Sequence, residues 1–342
     1  MEEQFITSTL NRREDQLDTG LRPQSFDEFP GQESQKAKLQ IFVQAARERG
    51  DALGHVLLAG PPGLGKTTMA HIIAHARGTE MKTSSGPVIE KPGDLAGLLM
   101  SLEEGDVLFI DEIHRLSTNI EEYMYSAMED FYIDIVLDQG AGSRSIRLDI
   151  QPFTLIGATT REGMISSPLR SRFGMKVRLD YYQAEVLQVI IERSAGILNI
   201  PIDPDGAFEI ARRCRGTPRI ANNLLRWVRD YAQIKANNEI NADTAIAALE
   251  MLEIDHDGLD DMDNRYLEAL LHKFDGGPVG IKNLAIALGE EVGTIEEVYE
   301  PFLIQEGFVQ RTPQGRLATG KAAERFGVIM GPRKPSDQPD LL

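Results

Sequence analysis

Residues 55–70 read HVLLAGPPGLGKTTMA. The segment starts with a short apolar run typical of a buried strand, and residues 60–67 then fit the phosphate-loop pattern G-x-x-x-x-G-K-[ST] without a mismatch. A helical pattern follows from Lys66 to Arg77. In such a loop the glycines let backbone N–H groups point at phosphate groups, and the helix N-terminus adds its positive end. The flanking strand and helix favour a nucleotide site over a simple glycine-rich turn.

The side chains of this loop suit a nucleotide with its magnesium ion. Gly63 and Gly65 supply the backbone freedom, and Lys66 is placed to reach the β and γ phosphates. The Thr67 hydroxyl can ligate Mg²⁺, and Thr68 can add a hydrogen bond to a phosphate.

A second strand, with the sequence DVLFIDE at residues 106–112, ends in two carboxylates. Alone, this pair would indicate no more than a solvated acidic turn. Beside a phosphate loop, Asp111 would hold Mg²⁺ through water, and Glu112 would polarise a water molecule for attack on the γ phosphate.

A third strand, TLIGATTR at residues 154–161, ends in hydroxyl groups. A hydrolytic nucleotide site needs a residue that senses the γ phosphate and orders the attacking water. Thr160 is the preferred candidate for that role, and Thr159 is the alternative.

Several arginines could add positive charge to the transition state. In LRSRF at residues 169–173, either Arg170 or Arg172 could reach into a neighbouring subunit as an arginine finger, and a surface salt bridge explains either residue equally well. Arg219 opens a later helix after Gly216-Thr217-Pro218 and could close onto the nucleotide as part of a lid.

The order of the patterns predicts three domains in 342 residues. Strands and helices alternate over residues 1–182, which predicts an α/β domain with an open parallel sheet. Residues 183–254 show only helical patterns, about four of them, typical of a small helical domain. Residues 255–342 contain three helical patterns and a hairpin signal, the elements of a winged helix.

Composition excludes several classes of protein. No run reaches the roughly 18 apolar residues of a membrane-spanning helix, and residues 1–4 do not resemble a signal peptide. A single cysteine, Cys214, rules out an internal disulfide. We therefore expect a cytoplasmic protein without a membrane contact.

The charge balance of 36 Lys and Arg against 53 Asp and Glu, a net charge of −17, argues at first against DNA binding. The charges are unevenly distributed, since residues 255–300 hold 12 acidic and 3 basic residues, whereas residues 306–334 hold 2 and 6. Arg311 and Arg316 flank the turn of the predicted wing, which predicts a contact with the DNA backbone at these two residues. A solvated hairpin with two isolated arginines is the alternative.

Taken together, the motifs resemble those of the AAA+ ATPases over nearly the whole chain, and in particular those of the AAA+ motors that drive branch migration of Holliday junctions. The resemblance is carried by residues 21–29, 60–68, 111–114, 157–161, 169–174 and 216–219 and by the terminal winged helix.

The resemblance implies a homohexameric ring around double-stranded DNA, with ATP and Mg²⁺ bound between subunits. Leu21 and Arg22 would then border the adenine, and Tyr182 would lie against it. Thr160 would be the first sensor and Arg219 the second. Arg172 would be the finger in trans, since it matches the Ser-Arg pair of related clamp loaders.

Partners are also implied by the resemblance. A hairpin around residues 138–143 carries Ile146, Leu148 and Ile150 on one face. That face would either pack on its own domain or bind a junction-binding protein, and a junction resolvase is a further expected partner. A clamp loader or a replication initiator of the AAA+ class is the alternative function, because such proteins share most of these motifs.

Overall fold

The computed structural model describes residues 20–136 and 145–329. They fall into two compact units. The first runs to Asn199 and also includes residues 216–223, and the second consists of residues 200–215 and the chain from Leu224 onward.

A parallel sheet forms the centre of the first unit. Among its described residues the unit contains seven strands, in chain order β1 (Val56–Ala59), β2 (Met81–Ser85), β3 (Val107–Asp111), β4 (Tyr132–Val136), β5 (Ser145–Asp149), β6 (Thr154–Thr159) and β7 (Met175–Arg178). Five of them pair in the order β2-β3-β6-β1-β7, and every pairing is parallel. The three predicted apolar strands lie in the middle of this sheet as β1, β3 and β6. Because all strands are parallel, their carboxyl ends share one edge.

Helices connect these strands and cover the sheet. They span Glu33–Arg49, Lys66–Arg77, Pro92–Met100, Thr118–Glu129, Ser167–Ser171 and Ala184–Leu198. Helix Lys66–Arg77 starts directly after Gly65 and ends before Gly78, and both glycines have positive φ angles of 94° and 72°. A left-handed residue at the end of a helix favours glycine because a Cβ atom is strained there.

The hairpin formed by β4 and β5 is antiparallel, with Ile133 opposite Leu148 and Ile135 opposite Ile146. The predicted strands are confirmed in this part. The predicted turn at residues 138–143 lies outside the described residues.

The second unit combines helices with a small antiparallel hairpin. Its helices include Pro204–Ala211, Ala242–Glu250, Asp261–Glu268, Ile281–Leu288, Glu300–Gln305 and Gly320–Arg325, and helix Pro218–Lys235 starts in the first unit and continues here. One-turn π-helical segments, Ala269–Lys273 and Ile295–Tyr299, extend two of the terminal helices. Strands β8 (Val309–Thr312) and β9 (Gly315–Ala318) form the wing. Three helices followed by a hairpin confirm the predicted winged helix.

Within residues 20–136 and 145–329, none of the helices combines the length and the apolar character that crossing a membrane requires.

Candidate active site

One cavity of about 250 Å³ collects the side chains that the three strand motifs predict. It lies where β1, β3 and β6 end, because neighbouring parallel strands place their carboxyl ends together. Its lining includes Leu21, Arg22, Gly63, Gly65, Lys66, Thr67, Thr68, Asp111, Glu112, Thr160, Tyr182 and Arg219. Every predicted residue of the nucleotide site except the finger arginine therefore borders the same space.

The phosphate loop has the backbone that its glycines permit. Gly63 and Gly65 have φ angles of 78° and 94°, in the left-handed region that residues with a Cβ atom rarely adopt. A Cβ atom on Gly63 would lie 2.7 Å from the side chain of Thr217. Both the conformation and the space at this position therefore require glycine.

Lys66 is held inside the loop. Its Nζ atom donates to the carbonyl oxygens of Gly60 and Pro61, each at 2.8 Å. Burial lowers the pKa of Lys66, while the nearby carboxylates of Asp111 and Glu112 oppose that shift. An ammonium group surrounded by loop carbonyls and two acids is well placed to exchange these contacts for phosphate oxygens.

Asp111 and Glu112 adopt an unusual local backbone at the end of β3. Glu112 has a φ angle of 48°, and its amide donates to Asp111 Oδ1 at 2.9 Å. Thr160 Oγ1 donates to Glu112 Oε2 at 3.4 Å. The preferred sensor hydroxyl and the predicted base are thus neighbours in the cavity wall.

Leu21 and Tyr182 form a largely buried part of the cavity wall. The Tyr182 hydroxyl donates to the carbonyl oxygen of Leu64 at 3.2 Å, and burial raises the pKa of that hydroxyl well above its usual value. The amide of Arg219 donates to the Gly63 carbonyl at 3.4 Å. Arg219 therefore lies in the first turn of its helix and contacts the phosphate loop.

Arg172 is not part of this cavity. Its guanidinium pairs with Glu129 at 3.1 Å, donates to the carbonyl of Pro168 at 2.8 Å and lies over the ring of Tyr125, 4.5 Å from the ring centre. Within its own chain, Arg172 thus makes the local ion pair that was the alternative to a finger.

The two wing arginines differ sharply in exposure. The side chain of Arg311 is 58% exposed and pairs with Glu296 at 2.8 Å, whereas that of Arg316 is 8% exposed. Arg316 binds Glu300 through Nε at 2.6 Å and Glu296 through Nη2 at 2.7 Å. The expectation that Arg316 contacts DNA is corrected by this geometry, because its guanidinium is buried and already paired with two carboxylates. Arg311 keeps the exposure that a phosphate contact needs.

The β4–β5 hairpin divides its apolar residues between two environments. Ile146 is 45% exposed, Leu148 packs partly against the core of the first unit, and Ile150 is buried. Of the two predicted alternatives, packing on its own domain therefore describes Ile150 and part of Leu148, and Ile146 is the residue that presents apolar surface.

Comparison with known proteins finds family models that match three consecutive segments of the chain. Family models match residues 21–179 as the Holliday junction DNA helicase RuvB P-loop domain, residues 182–255 as the RuvB AAA lid domain and residues 256–327 as the RuvB C-terminal winged helix domain. The chain belongs to the RuvB family. As a member of that family it is an AAA+ P-loop ATPase and binds nucleotide.

Individual RuvB proteins are similar along most of the chain. The Holliday junction branch migration complex subunit RuvB of Salinibacter ruber is 59% identical over 321 residues, which cover 94% of this chain and 93% of that protein. The solved structure of the Thermotoga maritima RuvB Holliday junction branch migration motor has a TM-score of 0.82 and 50% identity, and the match covers 91% of this chain and all of that one. A mutant of the same protein matches with a TM-score of 0.83 and 51% identity over 91% of this chain and 99% of that one.

Some residues of this RuvB family site carry no sequence signal of their own. Arg193 donates to the carbonyl of Leu21 at 2.6 Å and pairs with Glu28 at 3.2 Å, and it lines the cavity. Ser194 and Asn222 also line it and are joined by a hydrogen bond of 2.8 Å. Their helices are recognisable in the sequence, but nothing in a helical pattern indicates which polar residue turns toward a ligand.

Proposed function

We propose that this chain is an ATP-driven motor of Holliday junction branch migration that works as a homohexameric ring on double-stranded DNA. The observation that carries the proposal is the cavity in which the phosphate loop, the acidic pair at the end of β3, Thr160 and Arg219 meet. Such a constellation suits the hydrolysis of a nucleoside triphosphate, because it brings phosphate binding, a base and positive charge to one place.

In this proposal the phosphate loop holds the triphosphate. Its backbone amides and the Lys66 ammonium group neutralise the β and γ phosphates. Thr67 and Asp111 offer the hard oxygen ligands that Mg²⁺ prefers, and both line the cavity. When bound there, Mg²⁺ would supply neutralisation of the charge that develops during phosphoryl transfer.

Glu112 is the proposed base. Its carboxylate would accept a proton from the water that attacks the γ phosphate, and Thr160 would orient that water. The 3.4 Å hydrogen bond between Thr160 Oγ1 and Glu112 Oε2 supports this pairing, because both groups must act on the same water molecule. Thr159, the alternative candidate, is not among the residues that line the cavity.

Two arginines would complete the site. Arg219 would bind the nucleotide from its own subunit, and its position at the start of helix Pro218–Lys235, beside Gly63, supports that role. Arg172 would act in trans on the nucleotide of the neighbouring subunit.

Mixing of two inactive variants tests the finger. Arg172→Ala is expected to bind ATP without hydrolysing it, and Lys66→Ala to lose ATP binding while it still presents Arg172. Mixed rings should regain part of the ATPase rate at interfaces that combine an intact loop with an intact finger. Arg170→Ala is the matched control and should keep its activity. Absence of rescue at every mixing ratio would contradict a finger in trans.

DNA and protein partners would engage other surfaces. Arg311 of the wing would contact a phosphate of the duplex without reading bases, which suits a motor that must move over any sequence. Ile146 and the adjoining part of the β4–β5 hairpin would bind a RuvA-type junction-binding protein, and a RuvC-type resolvase would join the same complex. These reactions would take place in the cytoplasm.

Displacement of synthetic four-way junctions tests the whole proposal. With a RuvA-type protein, ATP and Mg²⁺, the chain is expected to separate the junction into two duplexes. Lys66→Ala should abolish this reaction, and the exposed control Lys38→Ala should not change it. Hydrolysis of ATP without any movement of the branch point would contradict the motor and favour an AAA+ clamp loader or replication initiator.

A further inference from the structure

Two adjacent threonines end strand β6, and their side chains have different surroundings. Thr160 lines the cavity, whereas Thr159 is fully buried behind it. Thr159 Oγ1 lies 3.0 Å from His114 Nδ1 and accepts the amide N–H of Arg161 at 2.9 Å. Its backbone carbonyl also accepts the amide N–H of Gly60 in the phosphate loop, at 3.1 Å. Thr159 therefore contacts both the phosphate loop and His114, whereas Thr160 is the threonine that borders the cavity.

His114 in turn contacts the proposed base. Its Nε2 atom lies 3.3 Å from Glu112 Oε2, and the imidazole is 5% exposed. Burial lowers the pKa of His114 more than the Glu112 carboxylate raises it, which favours the neutral ring with one N–H. A nitrogen that faces a carboxylate must carry that proton, because two lone pairs would repel each other. Nδ1 is then the acceptor, and the Thr159 hydroxyl donates to it.

We infer that Thr159 and His114 are positioning residues for the Glu112 carboxylate. Thr159 sets the tautomer of the imidazole, and His114 Nε2–H then holds Oε2 of Glu112. Thr160 donates to the same oxygen, so the carboxylate is fixed with Oε1 turned toward a water molecule. This role rests on the proposed ATP hydrolysis and deepens it, because it separates the tasks of the two threonines.

The backbone of Glu112 supports the need for such an anchor. A non-glycine residue with a φ angle of 48° lies in the left-handed region, which is strained for a residue with a Cβ atom and persists only where neighbours enforce it. Gly86 leaves the required space, since a Cβ atom there would lie 2.4 Å from the Glu112 carbonyl oxygen. The turn thus fixes the main chain of Glu112, and His114 with Thr160 fixes its carboxylate.

Substitutions at Thr159 give the first test. Thr159→Val keeps the shape of the side chain but removes the donor to His114, and we expect kcat for ATP hydrolysis to fall about tenfold or more while KM stays within about threefold. Thr159→Ser restores the hydroxyl and should restore most of the rate. Thr154→Val is the matched control, because Thr154 is also buried on β6 and donates to the carbonyl of Leu53 at 2.7 Å, outside the site. It should lower the melting temperature without lowering kcat.

Substitutions at His114 give an independent test that does not depend on the folding of Thr159→Val. The amide nitrogen of His114→Gln can replace Nε2 as donor to Glu112, whereas that of His114→Asn reaches only the position of Nδ1. His114→Gln should therefore keep much more of kcat than His114→Asn. Adding Thr159→Val to His114→Gln should cost little further rate, because the glutamine donor needs no tautomer, so the two effects should be strongly non-additive.

Three results would overturn the inference: an unchanged kcat in a folded Thr159→Val, an equal loss of kcat in His114→Gln and His114→Asn, or an equal loss in Thr154→Val. Fluorescent-nucleotide binding measured on each variant separates positioning from a general loss of the site. Failure of the motor proposal looks different, since the wild-type chain would then hydrolyse ATP without moving a junction. A wild-type chain without any ATPase activity would contradict both proposals.

Discussion

Replacing Arg316 by methionine should destabilise the winged helix rather than merely weaken DNA binding. Two hydrogen bonds join the Arg316 guanidinium to the Glu300 carboxylate, at 2.6 and 3.0 Å, and the side chain of Glu300 is 2% exposed. Tyr266 donates to the same carboxylate at 3.1 Å. In Arg316→Met the Glu300 carboxylate would stay buried and would keep Tyr266, but not an arginine, as a hydrogen-bond partner.

The magnitude follows from the cost of an unpaired buried charge. Removing one member of a buried ion pair typically costs about 3–5 kcal/mol, a large share of the roughly 5–15 kcal/mol that stabilises a domain. Methionine replaces most of the aliphatic stem, so little of the loss comes from packing. The double variant Arg316→Met/Glu300→Gln removes the stranded charge and keeps an acceptor for Tyr266. It should therefore be more stable than Arg316→Met alone.

Hydrogen exchange on the full chain, measured over residues 261–325 in increasing urea, reports the local free energy of opening. Arg311→Met is the matched control, because its exposed pair with Glu296 should contribute no more than about 1 kcal/mol. Equal free energies of opening in Arg316→Met and Arg311→Met would contradict a stabilising role of the buried ion pair. A double variant less stable than Arg316→Met would contradict the cost assigned to the unpaired Glu300 carboxylate.

Other regions of the chain give further predictions. Arg311→Ala should reduce the slope of log K against log salt for duplex binding by about one, measured by fluorescence anisotropy, and an unchanged slope would assign the phosphate contact elsewhere. Gly63→Ala should weaken nucleotide binding, measured by calorimetry, because its φ angle of 78° and the 2.7 Å approach to Thr217 leave no room for a methyl group. The Cys214 thiol is buried, its pKa is raised, and it donates to the carbonyl oxygen of Ile210. Iodoacetamide at pH 8 should therefore modify it only after the chain unfolds. Rapid modification of the folded chain would contradict this burial.

Much of the first unit could be predicted because its chemistry is local in sequence. The loop, the strand before it and helix Lys66–Arg77 are contiguous, and the helix has the expected bounds. The strand β6 extends to Thr159, since Ala59 of β1 continues the pairing to that residue. The edge strands β2 and β7 could not be recognised from an apolar run. An edge strand is partly solvated, and the sequence MKTSS of β2 has no fully buried residue.

Polar partners that meet through tertiary packing were beyond prediction. Arg193 reaches Leu21 across 172 positions of sequence, and Thr159 reaches His114 across 45. The sequence could place each of these residues in a helix, strand or turn, but no pattern in it indicates which side chains face each other. Burial of Arg316 is of the same kind, because an arginine beside a turn is ordinarily exposed.

The two wing arginines, Arg311 and Arg316, bear on how the net charge of −17 relates to DNA binding. Arg311 and Arg316 are directly opposite in the β8–β9 ladder, so both lie on one face of the hairpin, and both contact Glu296 of the preceding helical segment. Acidic residues of the acidic stretch 255–300, Glu296 and Glu300, therefore neutralise the two arginines of the wing within the domain. The guanidinium of Arg316 is buried in these ion pairs, whereas the side chain of Arg311 is exposed. A single phosphate contact gives weak binding, and it contributes only about one unit to the slope of log K against log salt. In the proposed ring, duplex binding through the wing would therefore depend on several subunits acting together, because the affinities of linked weak contacts multiply when they bind one DNA molecule at once.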